Sequence, residues 1–243
     1  MSDGMEAEEL LIGLVAELIG DAGHVAVGAN SPIPAVAALL AQSRRPGMRV
    51  SLLSSRRHNF FTDGGRELFD CAGQGRLDAF FLSGGQIDGQ ANINLVGIGD
   101  PAKPETRFPG SFGSAYLYYV VPKVILFRLE HSRRTLVEKV DFISAPGTSP
   151  ENVYRPGGPI ALVTSLCRFD FDRKRGRFRL ASLHPGHSLE EVRDCTGFDF
   201  EVSGELRETA LPDPAALALM RGPIAAEISE IYPAFAARLS GAA

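Results

Sequence analysis

The chain has 243 residues, 44 % hydrophobic and 22 % charged, an ordinary globular composition with enough apolar mass for one large α/β domain. Lys and Arg number 25 against 29 Asp and Glu, and the net charge of −4 is mixed along the chain, which argues against a nucleic-acid partner. No run approaches the roughly 18–20 apolar residues of a membrane span, and the first apolar segment follows Glu6, Glu8 and Glu9, not a basic leader, so a soluble cytoplasmic protein is expected.

Leu10, Leu11, Leu14, Val15, Leu18 and Ile19 recur at helical spacing and predict a first helix that stops near Gly20 and Gly23. A short buried strand is expected over 24–28. A helix over 35–41 follows, led in by Pro32 and Pro34, and a second strand over 49–53 runs into a polar loop, 54–59. A helix over 67–74 and a third strand over 77–82 complete the alternation. This pattern predicts a parallel sheet with helices on its faces, and ligands outside the carboxyl ends of its strands. The loops at 28–30, 54–56 and 83–86 are then expected to meet at one site.

From 123 on, strands are expected over 123–129, 136–143, 160–164, 168–171 and 178–183, with helices at 189–195 and in the tail, 214–239. The basic cluster of Arg173, Lys174, Arg175, Arg177 and Arg179 reads as a solvated hairpin turn around Gly176. With no linker or repeat, the expectation is a single domain over 1–243. Cys71, Cys167 and Cys195 stand far apart with no CxxC pair, so reduced thiols are expected and no metal site or disulfide.

Two glycine-rich segments are candidates for chemistry. In 82–94, Gly84 and Gly85 allow close backbone approach, and Gln86 and Asp88 add hydrogen-bonding groups that Asn92 and Asn94 can brace. The same residues suit a βα turn built for conformational reasons alone. In 106–114, Gly110, Ser111, Phe112 and Gly113 enter a helix with unpaired N–H groups suited to a phosphate or an oxyanion. It is neither a P-loop nor a nucleophile elbow. His184 and His187 are the only close histidine pair, and His184 reads as structural.

Ser83-Gly-Gly-Gln-Ile-Asp88, Ile98-Gly-Asp100 and the run from Lys103 to Gly113 closely resemble consecutive blocks of β subunits in the class I coenzyme A-transferase family, glutaconate type. The segments 137–147 and 190–202 resemble the next blocks in order, so the likeness runs from His24 to about Ile224. It implies a three-layer α/β/α fold with a mainly parallel sheet and a strand-rich second half. It also implies a separately encoded α subunit, often in an α2β2 assembly, an acyl-CoA substrate, and no cofactor beyond the coenzyme A of that substrate. The resemblance places an attacking glutamate just after the 49–53 strand and an oxyanion-binding N–H on Gly113. Gln86, Gly84, Gly85, Ser111 and Phe112 are the candidates for contact with substrate.

The sequence departs from this pattern where the glutamate belongs. No carboxylate occurs between Val50 and Thr62; Ser54 is the best-aligned substitute, Ser55 the next, and Asp63 and Glu67 are the nearest acids. Phe112 replaces a glycine of the oxyanion loop. A hydroxyl is a weak nucleophile without a neighbouring base, and His58 is the nearest histidine. Two branches of the family lack the β-subunit glutamate. One is a ring-opening hydrolase of steroid degradation that uses an α-subunit glutamate; the other is a cofactor-free acyl-CoA decarboxylase. The segments 162–171 and 181–188 look like the steroid branch. Hydrolytic C–C cleavage of a ring-containing acyl-CoA is therefore favoured over decarboxylation. Transfer through another carboxylate and a purely stabilising subunit are the alternatives.

Overall fold

A computed structural model describes residues 3–242, and the chain divides into two compact units, one of residues up to Phe81 with those from Ala210 on, the other Leu82–Thr209. The first unit begins with α1 (Asp3–Ile19), β1 (His24–Val27), α2 (Pro32–Arg44), β2 (Arg49–Leu52), α3 (Gly64–Gly73) and β3 (Ala79–Leu82). Its strands run parallel in the order β3-β1-β2, with Val25 opposite both Val50 and Ala79. Every residue of β1 is buried, as a strand covered on both faces requires, and this explains a run without polar alternation. Gly20, at φ 58, closes α1 in the left-handed conformation. Pro32 opens α2, where its missing N–H has no intrahelical partner to lose. α1 packs along α2, whose small residues Ala35, Ala37, Ala38 and Ala41 permit a close approach.

The second unit opens with two small antiparallel pairs, β4 (Gln86–Ile87) with β5 (Ile93–Asn94) and β6 (Gly97–Ile98) with β7 (Thr106–Arg107). Then come α4 (Ser114–Val120), β8 (Lys123–Phe127), β9 (Pro159–Val163), β10 (Cys167–Asp172), β11 (Arg177–Leu183), α5 (Leu189–Cys195) and β12 (Glu201–Glu208). β8 and β9 are parallel, β10 is antiparallel to both neighbours, and β11 and β12 are parallel again. Phe169, Phe178 and Phe198 are buried at its core, with Phe200 edge-on to Phe169 at 5.0 Å.

The structure corrects three expectations. The 82–94 segment is a β-hairpin and not a βα turn. The strand expected over 136–143 is a loop that touches the hairpin through single bridges, Ile87 to Leu136 and Ile93 to Ala145, because Phe142 and Ile143 stay exposed and never join a ladder. β12 has no counterpart among the expected strands. Its residues are mostly half-buried or exposed, so they carry little apolar alternation, and pairing with β11 makes it a strand.

The tail rejoins the first unit as α6 (Pro214–Leu219), a π turn (Met220–Ile224), α7 (Ala225–Ile228) and α8 (Pro233–Ser240). Pro223 lies in the π turn and Pro233 opens α8, and they divide the helical tail into short pieces. Arg221 grips the buried Glu9 of α1 at 2.6 and 2.8 Å, tying the π turn to the first helix. No helix among the described residues is long and apolar enough to cross a membrane.

Candidate active site

At the carboxyl end of β2, Leu53 donates its N–H to the Val27 carbonyl, so the loops after β1 and β2 leave from one edge of the sheet. The loops at 28–30 and 54–56 therefore start side by side. Ser54 follows, exposed, and its hydroxyl meets no described residue. Ser55 is only 4 % exposed and heavily bonded. Its Oγ donates to Glu230 Oε2 at 3.0 Å and accepts the Arg57 and His58 N–H groups at 3.0 and 2.9 Å. Glu230 Oε1 accepts the Arg56 N–H at 2.9 Å; that bond first, and the Ser55 hydroxyl after it, hold the carboxyl below the usual range.

His58 Nε2 lies 2.6 Å from Glu227 Oε1, and no hydrogen bond joins its ring to either serine. The serine–histidine pair considered from the sequence is therefore not formed. Ser31 donates its N–H to Tyr232 Oη at 3.1 Å, so the tail segment 227–232 touches both loops. Asp63 pairs with Arg66 at 3.0 Å. Glu67 accepts the N–H groups of Asp63 and Thr62 and the Thr62 hydroxyl, which lower its pKa; both acids serve their own helix start. Sequence reasoning misses Glu227, Glu230 and Tyr232. No local spacing signals them, since Glu230 meets its partners from 174 and 175 residues away along the chain.

In the second unit the two glycine-rich segments come together. A Cβ on Gly85 would stand 2.3 Å from ring carbons of Phe108, so any larger residue here must displace that ring. Gly84 is equally confined, 2.6 Å from the Gln86 carbonyl. Gln86 is 5 % exposed and both ends of its amide are engaged. Oε1 accepts from Asn94 Nδ2 at 2.7 Å and from the Asp141 N–H at 3.0 Å, while Nε2 donates to Asp141 Oδ2 at 3.2 Å. Asp88 accepts the Gln90 and Asn92 N–H groups at 3.0 and 3.1 Å, and Asn92 Oδ1 accepts the Gly147 N–H at 3.1 Å. These side chains brace the hairpin against the 136–147 loop.

Gly110 (φ 108) and Phe112 (φ 44) both take the left-handed conformation, and for a phenylalanine that costs about 1–2 kcal/mol. Phe112 is 86 % exposed. Ser114 donates its N–H to the Ser111 carbonyl at 2.8 Å, and Gly113 caps α4, its carbonyl accepting the Leu117 N–H at 3.0 Å. The Gly113 N–H has no acceptor among the described residues. Beside it Ser114 is 5 % exposed, and its buried Oγ has no partner. Two adjacent donors without acceptors, in a loop held in strained geometry, suit an oxyanion. The sequence alone does not single out Ser114; only its place next to Gly113 points to it.

Two buried histidines of this unit, His131 and His184, are structural. His184 joins Thr209 Oγ1 (2.9 Å) to the Thr164 carbonyl (3.0 Å), and His131 bridges the hydroxyls of Thr164 (2.8 Å) and Thr196 (2.9 Å). Burial lowers each pKa to about 4 and pushes the Cys167 thiol up to about 12. Among the described residues no group of three or more His, Cys, Asp or Glu is arranged to hold a metal ion.

This frame and its glycine turns are those of one family. Residues 13–194 match the coenzyme A transferase family, and the chain belongs to it. A glutaconate CoA-transferase chain of Acidaminococcus fermentans is 36 % identical over 148 residues, which cover 58 % of this chain and 54 % of that protein. The cholesterol ring-cleaving hydrolase IpdB subunit of Rhodococcus jostii is 30 % identical over 166 residues, 64 % of this chain and 62 % of that one. The chain thus spans less than two thirds of these curated relatives. The crystal structure of the decarboxylase AibA/AibB superposes with a TM-score of 0.77 at 28 % identity, over 88 % of this chain and 93 % of that chain.

Proposed function

We propose that the chain is the β-type subunit of a two-subunit cytoplasmic enzyme acting on an acyl-CoA thioester, and that its reaction is hydrolytic C–C cleavage of a ring-containing acyl group. The observation that carries this reading is the loop after β2, where Ser54 stands with no base and the nearby carboxylates, Glu227 and Glu230, are held by His58 and by the loop itself. Acyl transfer through a covalent intermediate needs a carboxylate that can both attack and leave; a lone hydroxyl does neither well. Cleavage next to a carbonyl needs no acyl group on this chain. Water adds to the ring carbonyl, the C–C bond breaks, and its electron pair passes to an enolate that is then protonated. The proton transfers fall to the partner α subunit, and the Gly113 N–H and Ser114 hydroxyl hold the developing negative oxygen. No cofactor is required beyond the coenzyme A of the substrate.

Relatives that carry out transfer, ring cleavage and decarboxylation support an acyl-CoA substrate and a partner subunit. The test is to incubate the assembled enzyme with acyl-CoA and trap with borohydride or hydroxylamine. The expected result is a ring-opened acid and no covalent label on this chain. One observation favours a second reading: Glu230 is a carboxylate lying against the loop where transferases keep their nucleophile. A trapped label on Glu230 would establish transfer and overturn the first reading.

A further inference from the structure

In the second unit a cleft of about 660 Å³ opens between the 147–157 loop and the turn joining β10 to β11. Arg155, Arg173, Lys174 and Arg175 line it, with Glu151 as its one carboxylate. The sequence reading of this turn as solvated holds for Lys174, which is exposed and makes no ion pair among the described residues. Arg173 is exposed as well, yet its guanidinium is engaged by the backbone. That guanidinium donates to the carbonyls of Pro159 (3.1 Å), Gly158 (2.9 Å) and Pro122. Arg155 donates to Gly157 O (3.1 Å), Tyr118 O (3.0 Å) and Ser149 Oγ (3.3 Å), and it stacks over Tyr118 at 5.3 Å.

Neither guanidinium meets a carboxylate. Partial desolvation lowers the pKa of both, though Arg173 stays exposed and Arg155 half-buried. Arg175 shares Glu201 at 2.9 Å and still faces the cleft. Stapling strand ends needs neutral donors only. It does not account for four basic side chains, two of their guanidiniums without a carboxylate partner among the described residues, lining one cleft. Rigid guanidinium forks, an ammonium and the Thr148 hydroxyl are the chemistry of phosphate recognition, and the volume suits a nucleotide-sized ligand.

We propose that this cleft binds a phosphate-bearing organic anion. Two sources share that chemistry. One is the nucleotide end of the coenzyme A thioester, an arm that rests on the function proposed above. The cleft reaches the last turn of α4 through the Tyr118 carbonyl, and the Gly113 loop stands at its first. Tyr118 lies five residues beyond Gly113, which sets the two about 7.5 Å apart along the helix axis, a distance a pantetheine arm can span. The other source is a separate phosphorylated metabolite.

The experiment is calorimetric titration of the full chain with coenzyme A, 3′-dephospho-coenzyme A, pantetheine, ADP and pyrophosphate, at low and high salt. Binding of the phosphorylated probes but not pantetheine is expected. Lys174→Glu should weaken it at least about fivefold and Glu151→Gln should tighten it, with affinity falling as salt rises. Preference for coenzyme A over its dephospho form assigns the first source; equal binding of ADP and pyrophosphate assigns the second. Unchanged affinity in both variants, or binding no tighter than about 1 mM, overturns the proposal. Because the readout is binding, loss of ring cleavage with intact binding would count against the proposed function and not against this site.

Discussion

The Ser55 hydroxyl and the Glu230 carboxylate meet at 3.0 Å across 175 residues of sequence, and with the Arg56 N–H they lock the loop that follows β2. The bond places a negative charge where the sequence offers only hydroxyls, yet engages that charge in holding the backbone. Glu230→Gln is therefore expected to leave turnover within about threefold, whereas loss of a covalent nucleophile lowers kcat on the order of 10³-fold or more. Glu230→Ala should speed amide hydrogen exchange at Arg56, Arg57 and His58, read by mass spectrometry. A collapse of activity in Glu230→Gln with unchanged exchange would mark the carboxylate as the reacting group.

Gln86 shows the opposite balance. Removing its amide leaves the Asp141 N–H and Asn94 Nδ2 without their shared acceptor in a buried place, at a cost of about 2–4 kcal/mol. Gln86→Ala should lower the unfolding free energy by that amount, read as a lower urea midpoint with the m-value unchanged. Wild-type stability combined with a raised KM would instead give Gln86 a direct hold on substrate.

These residues separate what a sequence displays from what it conceals. The elements β1, α2, β2, α3 and β3, and the end of α1, are legible to within a few residues because each carries its own periodicity or an unbroken apolar run; α1 begins seven residues before its apolar spacing does. Leu136 to Ile143 has the same apolar content and is a loop; its hydrogen bonds go to a hairpin far earlier in the chain, and nothing local records that. The glycine segments can be picked out as unusual, and Gly85 against Phe108 gives the physical reason. Glu230 is invisible, since the loop it clamps and the tail it belongs to are joined only by tertiary packing. Arg173 is exposed, as a basic turn suggests, but that its guanidinium holds the carbonyls of a strand end is nowhere recorded in the basic run.

Ser114 offers a test in which stability and activity should part. An unpartnered buried hydroxyl destabilises a fold, so Ser114→Ala should be neutral or stabilise by up to about 1 kcal/mol. If the hydroxyl helps hold the oxyanion, kcat/KM of the assembled enzyme should nonetheless fall about 10–100-fold. Gly113→Val, which crowds the adjacent N–H, should lower it further. Full activity in both variants would leave this chain without a chemical part and support a purely stabilising one.

The buried histidines set how the second unit responds to acid. His131 and His184 each have both ring nitrogens satisfied in the neutral form, and burial lowers each folded pKa to about 4 against 6.5 when unfolded. Between these values the unfolded chain takes up protons that the folded one refuses, so stability falls as pH drops from about 6.5 towards 4. By linkage the loss at pH 5 is about 2 kcal/mol for each histidine. Urea midpoints at pH 7.5 and pH 5 should show it, and His184→Gln should reduce the slope by about half the two-histidine effect. A midpoint that does not move over this interval would mean that water reaches both rings and that they titrate normally. A slope unaltered in His184→Gln would place the acid sensitivity elsewhere, with His24 of the first unit, lowered by burial in the same sense, the next to replace.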